Sequence, residues 1–216
     1  MITLEPLISS LEQAKLTFDA GILAGGKSLR MGGQDKALIT LDDNVMVSSA
    51  VRLLKPLAVN RQVLINSNKD PENYKFLSQR ICHDVYPGFR GPLAGLHALL
   101  SNSDSDILFV VPCDTPFINE PLINALGQRA VEQQLSGSSL RPIALQCENF
   151  KHPLHCCLPR ACLDSIAHHI EHGKHKLIRW FEENEADWIS VPDTSTLVNV
   201  NTPEELQRAK LKLSNS

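Results

Sequence analysis

A chain of 216 residues, 43% hydrophobic and 21% charged, has enough apolar content for one sizeable core, which excludes a disordered or fibrous protein. Its net charge of −3 supplies no field for tracking a nucleic-acid backbone, and no apolar run nears the ~20 residues of a membrane span. Residues 1–17 carry Glu5 early and no basic cluster, unlike a secretory leader. The cysteines at 82, 113, 147, 156, 157 and 162 are therefore read as reduced thiols of a cytoplasmic protein.

In chain order, Leu4, Leu7, Ile8 and Leu11 recur at helical spacing and predict a short amphipathic helix over residues 4–16. The run from Leu16 to Ala24 predicts a buried strand ending in a glycine-rich loop, Gly25 to Gly33. Asp43 or Asn44 is suited to cap a helix with Val47, Ala50, Val51 and Leu54 on its apolar face, stopped by Pro56. Residues 61–66 predict a second strand and residues 81–84 a weaker one. Pro92 opens a helix carrying Leu93, Leu96, Leu99 and Leu100.

Ile107 to Val111 gives the strongest buried-strand signal and runs into Pro112-Cys113-Asp114. There follow a helix from Pro121, a strand pair near 142–146 and 154–158, helices over 159–172 and 174–184, and strands near 188–191 and 197–200. The last helix opens at Thr202-Pro203-Glu204-Glu205, where Thr202 and Glu205 form a capping box and Pro203 takes the first helical position. Strands alternating with helices predict an α/β fold, a mostly parallel sheet with helices on both faces. In such sheets ligands bind beyond the carboxyl ends of the strands. Gly25–Lys36, Asn66, Asp84, Asp114 and Asn199–Asn201 all fall at predicted strand ends, which points to one shared site.

Glycines in the 25–33 loop let backbone N–H groups approach phosphate oxygens, and Arg30 and Lys36 are the natural cations for a triphosphate. The stretch Gly21 to Ser28 also satisfies the P-loop pattern, with Lys27 as its lysine. Its context argues otherwise: Ile22 and Leu23 continue a strand, and Gly32-Gly33 interrupts the helix a P-loop needs. Asp114 could be an ordinary turn residue before Thr115-Pro116. Alternatively it suits Mg²⁺, which takes one or two carboxylates together with substrate phosphates.

Leu-Ala-Gly-Gly-x-Ser-x-Arg-Met-Gly-Gly-x-Asp-Lys at 23–36, Gly91-Pro-Leu-Ala-Gly95, Pro112-Cys-Asp-Thr-Pro116, His152-Pro153 and Asn199-Val-Asn-Thr-Pro-Glu-Glu205 together resemble the molybdenum cofactor guanylyltransferases, the MobA family. The resemblance runs in the same order from about residue 18 to 210. It implies a Rossmann-like nucleotidyltransferase fold and transfer of GMP from GTP to the phosphate of molybdopterin cofactor, with release of pyrophosphate. By position it implies GTP contacts from Leu23, Ala24, Gly25, Lys36, Asn66, Asp84 and Asp114. It also implies Mg²⁺ on Asp114, catalytic roles for Arg30, Lys36 and Asp114, and acceptor-side roles for Asn199 and Asn201. Residues 1–16 stand as an N-terminal extension, and residues 17–213 as one domain with a GTP-binding half (17–118) and an acceptor-binding half (119–213). Partners implied are the two substrates and, transiently, proteins of cofactor biosynthesis and molybdoenzyme maturation.

His152, His155, Cys156, Cys157, Cys162, His168, His169, His172 and His175 crowd one quarter of the chain, but no paired spacing of zinc-finger type couples them. Cys156 and Cys157 are read as strand residues, one facing the core; Trp180, Phe181 and Trp188 as packing residues; Lys210 and Lys212 as a solvated face. The alternatives are a cytidylyl- or sugar-phosphate nucleotidyltransferase of the same fold, a P-loop NTPase or kinase using Lys27, and a nucleotide-binding regulator without turnover.

Overall fold

The computed structural model describes residues 3–26, 35–88, 91–148, 150–192 and 194–214. The two apolar runs that dominate the sequence lie side by side. β1 (Phe18–Leu23) and β6 (Ile107–Pro112) are parallel, with Phe18 opposite Ile107 and Leu23 opposite Pro112. Parallel to these, β4 (Leu64–Asn66) pairs with β1, and β5 (Ile81–Cys82) pairs with β4. On the other side the chain reverses: β8 (Phe150–Pro159) runs antiparallel to both β6 and β7 (Ile143–Cys147), and β9 (Asp187–Ser190) pairs parallel with β7. The order β5-β4-β1-β6-β8-β7-β9 forms one mostly parallel sheet, as the sequence pattern implies. A two-stranded hairpin, β2 (Thr40–Leu41) and β3 (Asn44–Val45), stands apart from it.

Helices cover both faces, so the central strands are apolar on both sides. Against Ile22, Phe109 and Val111 pack α1 (Glu5–Gln13), α2 (Ser48–Leu54) and α4 (Glu120–Leu135). Against Leu108 and Val110 pack α3 (Pro92–Ser101), α5 (Leu163–Glu171) and α6 (Leu177–Glu183). α1 seats Leu7 against Gly127 of α4, where a Cβ would collide with the leucine methyls. Cys156 and Cys157 are both buried, one in each layer, because β8 is covered on both sides. Trp180 and Phe181 are fully buried, while Trp188 packs at the edge of the same cluster.

Five expected elements differ. Asp43 and Asn44 do not cap a helix; they belong to the β2–β3 hairpin, whose turn holds Asp42 at a φ of 56°, and α2 starts only at Ser48. Residues 61–63 are not strand. Asn60 and Arg61 adopt left-handed φ of 52° and 57° in a 3-10 turn, and no L residue continues a strand from there. The helical pattern at 159–172 opens as a 3-10 turn, Arg160–Cys162, before α5, and that at 174–184 contracts to α6. No strand forms at 197–200; the Val200 N–H instead donates to the Asp114 carbonyl at 2.8 Å. The capping box does form at the start of α7 (Pro203–Ser214): Glu205 N–H donates to Thr202 Oγ1 at 3.2 Å, and Glu205 Oε2 accepts from Thr202 N–H at 3.1 Å. Lys212 is not simply solvated, since its Nζ donates to the Ser195 carbonyl at 3.0 Å and lies 4.3 Å from the Phe117 ring centre.

Candidate active site

The carboxyl ends of β1, β4, β5 and β6 open onto a cavity of about 540 Å³. The β1–β4 and β1–β6 ladders each extend one bond past the strands, Ala24 N–H to the Asn66 carbonyl at 2.8 Å and Cys113 N–H to the Leu23 carbonyl at 3.0 Å. These bonds fix where Gly25 and Asp114 emerge. Leu23, Ala24, Gly25, Gly26, Asn66, Asp84 and the first turn of α3 line one side of the cavity.

That side is held by amides. Asp84 accepts from Asn66 Nδ2 at 3.0 Å on Oδ1 and from Asn68 Nδ2 at 2.8 Å on Oδ2, while its own N–H donates to Asn68 Oδ1 at 3.0 Å. Gly95 is required beside this cluster, because a Cβ there would lie 2.6 Å from both Asn66 Oδ1 and Leu23 Cδ2. A Cβ on Gly25 would lie 3.2 Å from Asn66 Oδ1 and 3.4 Å from Asn68 Nδ2. The Gly91–Gly95 and Leu23–Gly26 motifs thus both bring bare backbone against the side-chain amide of Asn66.

Lys36 opens a 3-10 turn capped by Asp35, whose Oδ1 accepts from Ala37 N–H at 3.3 Å. The other oxygen of Asp35 accepts from the hydroxyl of the fully buried Tyr74 at 2.6 Å. From this anchored turn Lys36 Nζ reaches Asp114 Oδ2 at 2.5 Å and Asn201 Oδ1 at 2.6 Å. Asn201 is oriented in turn by Glu205, whose Oε2 accepts its N–H at 2.6 Å. The side chains of Lys36 and Asp114 are 13% and 19% exposed, so the pair is shielded but open to a ligand.

The opposite wall comes from β8 and the start of α6: Lys151, His152, Pro153, Leu154, His155 and Leu177. His155 is 2% exposed and its Nε2 lies 3.0 Å from Thr115 Oγ1, beside Asp114. Burial pushes its imidazole down to about 3, with His152 adding to the effect. An unfolded histidine keeps its ordinary value near 6.5. Between pH 6.5 and 3 the unfolded chain therefore binds a proton that the folded chain does not, and stability falls as pH drops through that window, by up to about 1.4 kcal/mol per unit. The expected result is a smaller loss of stability between pH 7 and pH 5 in His155→Leu than in wild type, read from paired urea titrations.

All the sequence-derived candidates among the described residues line this one cavity: Leu23, Ala24, Gly25, Lys36, Asn66, Asp84, Asp114, Asn199 and Asn201. Arg30 and Lys27 lie outside the described residues. The P-loop pattern loses its backbone requirement, since Ile22 and Leu23 are paired strand residues opposite Ile65 and Asn66. Asn68, Tyr74 and the β8 histidines join the site without a sequence motif that assigns them a role in it. Tyr74 and Asn68 act through Asp35 and Asp84, a relation no local pattern carries. Among the described residues no group of three or more His, Cys, Asp or Glu side chains converges on a metal position. Asp114, a hard carboxylate lining the cavity, does fit Mg²⁺, which completes its shell with phosphate oxygens and water.

A mostly parallel sheet with Gly25, Gly26, Lys36 and Asp114 gathered at its carboxyl edge is the arrangement of a nucleotidyltransferase. The structure of CMP:2-keto-3-deoxy-manno-octonic acid synthetase complexed with CTP has this fold, with a TM-score of 0.70 at 12% identity over 92% of this chain and 99% of that one. Residues 20–187 match the MobA-like NTP transferase domain, and the chain belongs to that family. A molybdenum cofactor guanylyltransferase from a Shewanella species is 33% identical over 198 residues, covering 91% of this chain and 97% of that protein. Molybdopterin-guanine dinucleotide biosynthesis protein A from Archaeoglobus fulgidus has a TM-score of 0.74 at 20% identity, over 92% of this chain and 100% of that one.

Proposed function

We propose that this chain transfers GMP from GTP to the terminal phosphate of molybdopterin cofactor in a Mg²⁺-dependent reaction. The observation that carries the reading is the cluster of Lys36, Asp114 and Asn201, set between the glycine-loop side of the cavity and the β8 side. The guanylyltransferase relatives, which this chain matches over nearly its whole length, support the same activity. In this reading residues 17–118 hold GTP and residues 119–213 hold the acceptor, with the work done in the cytoplasm and proteins of cofactor maturation as transient partners.

An oxygen of the acceptor phosphate attacks the α-phosphorus of GTP, a new P–O bond forms, and the α–β bridging bond breaks to release pyrophosphate. The attacking phosphate is already an anion at neutral pH, so alignment and charge neutralisation supply the rate rather than a strong base. Lys36 is the cation that faces the reacting phosphates, exchanging its contact with Asp114 for phosphate oxygens. Magnesium held by Asp114 would add positive charge on the triphosphate. Asn201, fixed by Glu205, is positioned to orient the acceptor phosphate, with Asn199 beside it.

The base is read on the Leu23–Gly25 side. Glycine at 25 keeps the backbone bare for a purine, and an added methyl would press on the two amides that hold Asp84. Turnover should therefore favour GTP over CTP, and Gly25→Ala should narrow the GTP-to-CTP ratio of kcat/KM. Pyrophosphate release with each nucleotide and a pterin phosphate acceptor tests both. Equal or better turnover with CTP in the wild type overturns the assignment.

A further inference from the structure

We infer that the β8 wall of the cavity seats the flat nitrogen heterocycle of the acceptor, with His155 Nδ1 accepting a hydrogen bond from a ring N–H and His152 Nε2 as a second polar contact. This deepens the reading above and rests on it.

The buried state of His155 determines which nitrogen is available. The Thr115 hydroxyl donates to the Pro112 carbonyl at 3.4 Å, and His155 Nε2 lies 3.0 Å from the same oxygen. A hydroxyl has one proton, so Nε2–H is the donor to Thr115 and Nδ1 carries the lone pair. That Nδ1 has no hydrogen-bond partner among the described residues, and neither does the buried Nε2 of His152. Folded proteins seldom strand buried polar atoms. Here two are stranded on one strand, both in residues that line the same cavity. The two rings meet edge to face with centroids 6.0 Å apart, close enough for one fused bicycle to reach both.

The rest of the wall selects the ligand class. Pro153, Leu154 and Leu177 offer apolar surface for a flat ring. A sugar would call for carboxylates or amides to bind its hydroxyls, and the lining residues from β8 and α6 include neither; Asn66, Asp84, Asp114, Asn199 and Asn201 all come from other elements. Imidazole nitrogens among aliphatic side chains instead suit a heteroaromatic ring with N–H groups at its edge.

The test uses the full chain with GTP, Mg²⁺ and a pterin phosphate acceptor. His155→Leu and His152→Leu should each raise the acceptor KM about ten-fold or more while leaving GTP affinity at its wild-type value, because a site built to accept a hydrogen bond loses discrimination when the acceptor atom is removed. His155→Gln, whose amide can both donate to Thr115 and offer a carbonyl, should recover part of that loss, which a purely structural role would not predict. Binding of 6-hydroxymethylpterin, followed by the ¹⁵N resonances of the two imidazoles, should shift those of the wild type. If His155→Leu does not fold, His155→Gln and His152→Leu carry the measurement. Acceptor KM values within about two-fold of wild type in every folded variant overturn the inference and leave guanylyl transfer standing. A wild type that guanylylates a sugar phosphate but no pterin phosphate overturns both.

Discussion

Asp114→Asn is expected to cut GMP transfer by two to three orders of magnitude, about the scale of removing one preorganised charge contact at a reacting phosphate. Asp114 is held at 2.5 Å from Lys36 and its carbonyl accepts from Val200 N–H. Asparagine keeps the shape and the backbone contact, so the folded structure and its melting temperature should hold nearly constant. What is removed is the hard anionic oxygen that suits Mg²⁺. Titration of the metal against turnover is the measurement. If the variant retains unchanged Mg²⁺-dependent turnover, the aspartate has no metal role.

Lys36→Ala should cost about 10²-fold or more in kcat, and it should do so with the turn that carries residue 36 still in place, because that turn is anchored by Asp35 and Tyr74. Lys27→Ala should change rates only modestly. The contrast separates two chemistries written over the same glycines: nucleotidyl transfer yields pyrophosphate and depends on Lys36, whereas P-loop chemistry moves the γ-phosphate and depends on Lys27. Product analysis by phosphorus NMR distinguishes the two. Orthophosphate release that requires Lys27 and ignores Lys36 would make the P-loop pattern the correct one.

Much of this architecture is legible in the chain because the central strands are covered on both faces and read as unbroken apolar runs. β1 and β6 could not be mistaken, and the residues just past their ends had to face the ligand edge. The hairpin around Asp42 was not legible, since Asp and Asn serve a helix cap and a tight turn equally well and the choice is made by tertiary packing. Leu197 to Val200 looks like a strand for a similar reason: Leu197 and Val200 are buried, but Val200 spends its N–H on the turn at Asp114 rather than on a ladder. In the site, the glycine loop, Lys36 and Asp114 were recognisable as motifs. The Lys36–Asn201 contact spans 165 positions and the Tyr74–Asp35 bond 39, and no local pattern encodes either. The two β8 histidines sit in a His- and Cys-rich stretch that hides their place in the site, and the His152-Pro153 motif is the one local signal for it.

The seat of Leu7 in the notch at Gly127 sets a timetable for synthesis. α1 leaves the ribosome well before α4, since the glycine it docks on follows Leu7 by 120 positions. At translation rates of about 5–20 residues per second, the stripe of Leu4, Leu7 and Leu11 waits on the order of ten seconds with nothing to cover it. A nascent chain of this kind presents a sticky amphipathic segment until α4 emerges. Its exposure to chaperones, and its tendency to associate with other unfinished chains, should therefore scale with elongation speed more than with the final stability of the fold.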